Sequence, residues 1–182
     1  MEIDKLYYTE DRKVINEAAK QYLSDSIKSY KSMPFKQYKD LIISELNYME
    51  RSSLKSCRSY GLTISPGDVC FIDFRKAYLS ESGFQHFGLV INVFYAKAFV
   101  IPMTSNETIF NQAYDEKENP NGLRHIMRLG KVEGLYKYSV LFLNDGKYIN
   151  TARVIDIKGH IDTDSKLYKQ AFERFVETLR IE

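Results

Sequence analysis

Residues 84–105 read FQHFGLVINVFYAKAFVIPMTS. A histidine, His86, opens one apolar run, and a hydroxyl pair, Thr104-Ser105, closes the next. An imidazole can give or take a proton near neutral pH. Two hydroxyls, with the backbone N–H groups of the loop that follows a strand, can converge on a phosphate. Taken singly, each has a plainer reading: a solvated loop histidine, and a Thr-Ser-Asn sequence that turns the chain. Their placement joins them. If the two runs pair antiparallel, the start of the first lies beside the end of the second.

Positive charge is available nearby in sequence. Lys97 follows Tyr95-Ala96 at the expected hairpin turn, and Arg124, His125, Arg128 and Lys131 form a basic cluster after a polar segment. A second cluster, Lys20, Lys28, Lys31, Lys36 and Lys39, is interleaved with Tyr22, Tyr30, Phe35 and Tyr38 against the single acid Asp25. Clusters of this kind can track an RNA backbone, with Lys28 and Lys31 as contacts; a solvated helix face is the alternative. The net charge of +2 is too small to indicate a nucleic-acid binder without such clustering. The chain holds no Gly-rich phosphate loop, no GxSxG and no HExxH, and its two cysteines, Cys57 and Cys70, lack metal-ligand spacing. No metal or cofactor is therefore expected, and both cysteines are expected as reduced thiols of a cytoplasmic protein. The chain carries no membrane-spanning run and no signal-peptide pattern at its start.

Several elements must position these groups. Val14, Ile15, Ala18, Ala19, Tyr22, Leu23 and Ile27 recur at helical spacing after Thr9, the expected N-cap. Pro34 interrupts, and Phe35, Tyr38, Leu41, Ile42, Leu46 and Met49 make a second stripe that Gly61 is expected to stop. Residues 1–62 thus read as a helical hairpin and residues 63–182 as a separate domain. The latter opens with a Ser65-Pro66-Gly67 turn and a β-rich run over 69–74. Strands are expected over 89–94, 98–103, 126–129, 139–143 and 153–157, with 106–122 as a long mobile loop. A closing helix carries Leu167, Ala171, Phe172, Phe175, Val176 and Leu179 on one face, capped by Asp162 or Asp164. Helices, about five short strands and a helix predict an α+β fold around a small curved barrel or sandwich.

At this point the sequence resembles a known family. Pro66-Gly67-Asp68-Val69 with Phe71-Ile72-Asp73-Phe74 is similar to the opening strand of MazF/PemK-like toxins. Glu81 sits in a polar loop, as a loop acid does there. Gln85-His86-Phe87-Gly88-Leu89-Val90-Ile91 resembles their Arg-Pro-x-Leu-Val-Ile strand, and Ile101-Pro102-Met103-Thr104-Ser105 their Pro-x-Thr-Ser strand end. Gly88-Leu89-Val90, Lys97 and Pro102-Met103-Thr104-Ser105 bring it closest to the ToxN/CptN-like branch, whose toxins are held by an RNA antitoxin. The resemblance spans about residues 66–180 and leaves 1–62 uncovered. It implies a compact SH3-like β-barrel of the MazF/PemK/CcdB type. It implies a toxin that cleaves single-stranded RNA without a metal, by attack of the 2′-OH on the adjacent phosphate, leaving a 2′,3′-cyclic phosphate and a 5′-OH. Many relatives carry Arg-Pro where this chain has His86-Phe87; a protonated histidine can supply both the charge and the proton of that arginine. The expected site is then His86 as acid or base, Thr104 and Ser105 on the scissile phosphate, and Lys97 or Arg128 against the developing charge. The expected partners are single-stranded RNA, an antitoxin that is RNA in preference to protein, and a homo-oligomer or RNA–protein assembly. A type II system with a protein antitoxin and a non-catalytic RNA- or protein-binding barrel are the alternatives.

Overall fold

The computed structural model describes residues 3–180 of the 182-residue chain. Compactness divides it into two units, Met1–Ile42 and Ile43–Glu182. The division falls inside the helix over Phe35–Arg51.

The first unit holds α1 (Ile3–Tyr7), α2 (Arg12–Ser32) and the start of α3 (Phe35–Arg51). Asp11, not Thr9, caps α2: its carboxylate accepts from the Lys13 N–H at 2.8 Å, while the Thr9 hydroxyl accepts from Asp11 N–H at 3.2 Å. A carboxylate is the stronger acceptor for the first-turn N–H groups. Pro34 precedes α3 as its lack of an N–H dictates. Helix α2 buries no residue. Lys28 bridges Asp25 at 3.4 Å, and Lys31 lies exposed in the last turn of α2.

The second unit begins with the later half of α3, which is part of the sheet domain. The buried Ser44 hydroxyl donates to Asp73 Oδ1 at 2.6 Å, and Asn47 Nδ2 donates to Oδ2 at 3.0 Å. Arg51 Nη1 donates to the carbonyls of Val154 and Ala152 at 2.9 and 3.3 Å. The helix ends there, before Gly61, which instead closes a short 3-10 turn over Cys57–Tyr60 with φ 72°.

Eight strands follow: β1 (Asp68–Asp73), β2 (Gln85–Phe94), β3 (Lys97–Thr104), β4 (Ala113–Tyr114), β5 (Leu123–Lys131), β6 (Tyr138–Phe142), β7 (Lys147–Asn150) and β8 (Val154–His160). Two further helices are α4 (Glu107–Gln112) and α5 (Lys166–Thr178). The order across the sheet is β4-β5-β6-β3-β2-β1-β8, with β7 also on β3. The architecture is mixed α+β, and the hydrogen-bonded ladder is an eight-stranded sheet left open at β4 and β8. The turn after β5 packs closely on β8: a Cβ on Gly134 would meet the Lys158 carbonyl at 2.1 Å, and one on Gly159 the Glu133 carbonyl at 2.4 Å.

The strands alternate as their sequence requires. Val69, Leu89, Ile101 and Met103 face one core with Met127, Leu141 and the α5 residues Ala171 and Phe175. Cys70, Ile72, Val90, Ala98 and Val100 face the other with Cys57, Ile64 and Val154. Burial on both faces explains why β2 and β3 read as continuous apolar runs. Burial also pushes the Cys70 thiol up to about 12. Both cysteines are free and buried.

The segment expected as a loop over 106–122 is built. Asn106 caps α4, accepting from Ile109 N–H at 3.2 Å, and β4 pairs parallel to β5. Asn119 Nδ2 donates to the Ala113 and Asn111 carbonyls at 3.0 and 3.1 Å, closing the turn beyond. Polar side chains supply here the backbone partners that an apolar pattern would have announced. At α5, Ser165 and not Asp162 or Asp164 is the cap, accepting from Tyr168 N–H at 3.2 Å. Among the described residues no helix is long and apolar enough to cross a membrane.

Candidate functional site

Strand pairing places the two ends of the opening stretch together. In the β2–β3 hairpin Phe87 pairs with Met103, so His86 and Thr104 are the next positions outward. On its other side His86 pairs with Ile72 of β1, and Thr104 pairs with Val140 of β6. A cleft of about 380 Å³ opens here, lined by His86, Thr104, Asn106, Ile109, His125 and Phe142 and by the loops at Ser80–Gly83 and Asn144–Asp145.

Each polar group of this cleft has a definite state. His86 is half-buried, and its Nδ1 is buried with no hydrogen-bond partner among the described residues. No neighbour therefore fixes the tautomer of this ring. The Thr104 oxygen accepts from Asn106 N–H at 3.2 Å, which leaves its hydroxyl hydrogen free to donate. Ser105 is exposed and outside the cleft lining. Two carboxylates reach the cleft, and both are engaged: Asp145 accepts from Ser82 N–H at 2.7 Å and bridges Lys147 at 2.6 Å, while Glu81 accepts from Tyr78 N–H at 3.2 Å. His125 is exposed near the start of β5 and contributes a second imidazole. The third histidine, His160, pairs with Asp68 at 2.8 Å and takes no part.

Lys97 is not brought to this cleft. It opens β3, where it pairs with Phe94 and Asn150. Seven residues separate it from Thr104 (104 − 97), or about 23 Å along the strand at roughly 3.3 Å per residue. A hairpin sets its turn and its open end apart, so a turn lysine cannot reach a phosphate held at the strand end. Arg128 is engaged elsewhere: its Nε donates to the Phe110 carbonyl at 3.0 Å, Nη1 bridges Glu118 at 2.9 Å, and the guanidinium stands 4.6 Å from the Phe110 ring centroid. It ties α4 and the following turn to β5. Lys131 ends β5 opposite Tyr138, outside the cleft. Lys28 and Lys31 belong to the first unit.

A second cleft of about 600 Å³ shares His125 with the first and is lined by Tyr114, Glu116, Arg124, Gln170, Arg174, Glu177 and Thr178. Sequence reading found Arg124 but missed Arg174, because α5 lies far from β5 in the chain, and Tyr114, because β4 falls in the segment expected as a loop. Asn106 and Asp145 were missed as site residues because each also reads as ordinary turn chemistry. Among the described residues no group of three or more His, Cys, Asp or Glu side chains could hold a metal.

No family model matches the chain, and no curated protein matches it. Solved structures resemble it. MazF (Form-I) from Deinococcus radiodurans is 12% identical, over 65% of this chain and 97% of that one, with a TM-score of 0.47. The MazE–MazF structure (Form-II) from the same organism is 12% identical, over 66% and 99%, with a TM-score of 0.45. An endoribonuclease in complex with its cognate antitoxin, from a mycobacterial species, is 11% identical, over 64% and 93%, with a TM-score of 0.42.

Proposed function

We propose that this chain is the toxin of a toxin–antitoxin system, an endoribonuclease that cuts single-stranded RNA without a metal. The observation that carries this reading is the convergence of His86, His125 and Thr104 on one cleft. Cleavage within RNA needs no more than such a set. A base takes the proton of the 2′-OH as its oxygen bonds to phosphorus, and an acid gives a proton to the 5′-oxygen as the P–O5′ bond breaks. The products are a 2′,3′-cyclic phosphate and a 5′-OH. His86 and His125 divide the two proton transfers. The free hydroxyl hydrogen of Thr104 donates to a non-bridging oxygen, where charge grows in the transition state. Ser105, exposed beside it, contacts the RNA backbone outside the reacting phosphate. The engagement of Asp145 and Glu81 by N–H and ammonium donors lowers the repulsion an anionic substrate would meet.

The matches to the ToxN-like branch in Gly88-Leu89-Val90 and Pro102-Met103-Thr104-Ser105 support an RNA antitoxin in preference to a protein one. Lys28 and Lys31, on a helix with other lysines and tyrosines, are candidate contacts for that RNA, and Lys131 and Arg124 for the substrate.

The test is incubation of the purified chain with single-stranded RNA in EDTA, with the product ends analysed. Cyclic-phosphate and 5′-OH ends are expected, and His86→Ala or His125→Ala should slow cleavage by about 10²–10⁴-fold while the protein stays folded. Wild-type rates in either variant would refute that histidine's role. RNA binding with no cleavage would favour a non-catalytic binding module. A tightly co-purifying partner that survives RNase would overturn the preference for an RNA antitoxin.

A further inference from the structure

The second cleft joins two neighbouring strands and a helix distant in sequence. Arg124 comes from β5, Tyr114 from β4 and Arg174 from α5. Arg174 Nη2 donates to the Arg124 carbonyl at 2.5 Å, which fixes the helix side chain against the strand. Its guanidinium carbon lies 4.6 Å from the Tyr114 ring centroid, and that of Arg124 lies 5.7 Å from the same ring. Two like charges thus meet over one aromatic ring. Neither makes an ion pair among the described residues, although Glu116 and Glu177 stand on the rim of the cleft. Arg174 is half-buried, and burial holds its guanidinium below its usual range, with Arg124 adding to the shift and Tyr114, Glu177 and Asp115 opposing it. Desolvating a cation beside another cation is costly, and rim carboxylates that make no ion pair with either guanidinium offset that cost only in part, so a bound anion would stabilise both. Phosphate is the anion that a pair of guanidinium forks fits.

We propose that this cleft is a nucleotide subsite for single-stranded RNA, in which Arg124 and Arg174 hold the phosphate next to the scissile one. The adjacency follows from His125, which lines both clefts. The volume of about 600 Å³ accommodates a nucleotide. Its base has a guanidinium face to stack on and the Gln170 amide to meet its edge. The inference rests on the RNA-cleaving reading above and assigns Arg174, which that reading does not use.

The experiment is equilibrium binding of a fluorescent, uncleavable 2′-O-methyl RNA oligonucleotide to the full-length protein across a salt series. Arg174→Gln and Arg124→Gln should each weaken binding by about tenfold or more. Each should also reduce the slope of log K against log salt by about 0.7, the value for one lost single-strand phosphate contact. Glu177→Gln removes a rim carboxylate and should tighten binding severalfold, a gain that a merely destabilised fold would not produce. Unchanged affinity and slope in the arginine variants, or no gain in Glu177→Gln, would overturn the subsite. The probe cannot be cut, so the two readings fail separately. A protein that binds it as predicted but never cleaves RNA keeps the subsite and loses the nuclease. A protein that cleaves RNA with unchanged arginine-variant binding does the reverse.

Discussion

Ser44→Ala tests whether the later half of α3 is a working part of the sheet domain. Ser44 is 1% exposed, and its hydroxyl donates at 2.6 Å to Asp73, itself 3% exposed. The substitution removes one donor from a buried carboxylate and leaves it two, Arg75 N–H at 2.9 Å and Asn47 Nδ2 at 3.0 Å. A hydrogen bond to a charged group contributes about 1.5–3 kcal/mol. Alanine returns about 0.5 kcal/mol of helix propensity. No carbon is removed, so no cavity is added. The net loss is therefore about 1–2.5 kcal/mol, or about 2–10 °C in Tm for a chain of this size. Urea unfolding followed by circular dichroism measures it directly. A double-mutant cycle with Asp73→Asn isolates the pair, with a coupling of about 0.5–3 kcal/mol expected. A loss below about 0.5 kcal/mol with no coupling would refute the reasoning and return α3 to the status of an appendage. The consequence reaches the site: Asp73 ends β1, and its neighbour Ile72 is the strand partner of His86.

Two further outcomes follow from the geometry. Lys97→Ala should leave the cleavage rate within about twofold of wild type, because about 23 Å of strand separates Lys97 from Thr104; a hundredfold loss in a kinetic assay would show that the hairpin end is wrongly located as the site. Cys70 gives a pH test. Its thiol is raised from 9.0 to about 12 by burial, so the folded state keeps the proton where the unfolded chain releases it. The stability it contributes is present below about pH 9 and is lost as pH rises toward 12, at about 1.4 kcal/mol per unit. Chemical denaturation at pH 8.5 and 10.5 should show a drop about 2 kcal/mol larger in the wild type than in Cys70→Ala; equal drops would refute the assignment.

How far the fold was legible depended on where the information lay. The strands β1, β2 and β3 were readable because their apolar residues and turn signals are contiguous. β7 was not, since Lys147–Asn150 is four residues long and only Ile149 among them is buried. The end of α3 was misplaced at Gly61 because the true stop coincides with Arg51, whose role is to reach the Ala152 and Val154 carbonyls at the start of β8. That contact is tertiary and leaves no periodic trace. The segment over 106–122 looked structureless for a related reason: it is held by Asn106, Asn119 and Arg128, side chains that also suit a solvated loop.

The same distinction governs the site. Antiparallel pairing brings His86 to the Thr104-Ser105 end, because one turn joins their strands, and the bulge between Val90 and Asn92 makes Thr104 rather than Ser105 its opposite position. It also removes Lys97, since a hairpin that unites two strand ends must carry its turn to the far end. Neither step needs more than local sequence. His125 and Arg174 require the order of the whole sheet: β5 must lie beyond β6, and α5 must return across β5, before either side chain can face the hairpin mouth or its neighbour. Basic residues were therefore recognisable as a cluster long before their separate tasks were. Within five residues of β5, Arg128 clamps α4, Arg124 meets Arg174 over Tyr114, and His125 looks into both clefts. A run of like charge along one strand is thus divided among different neighbours, because each position meets whatever element the sheet packs beside it.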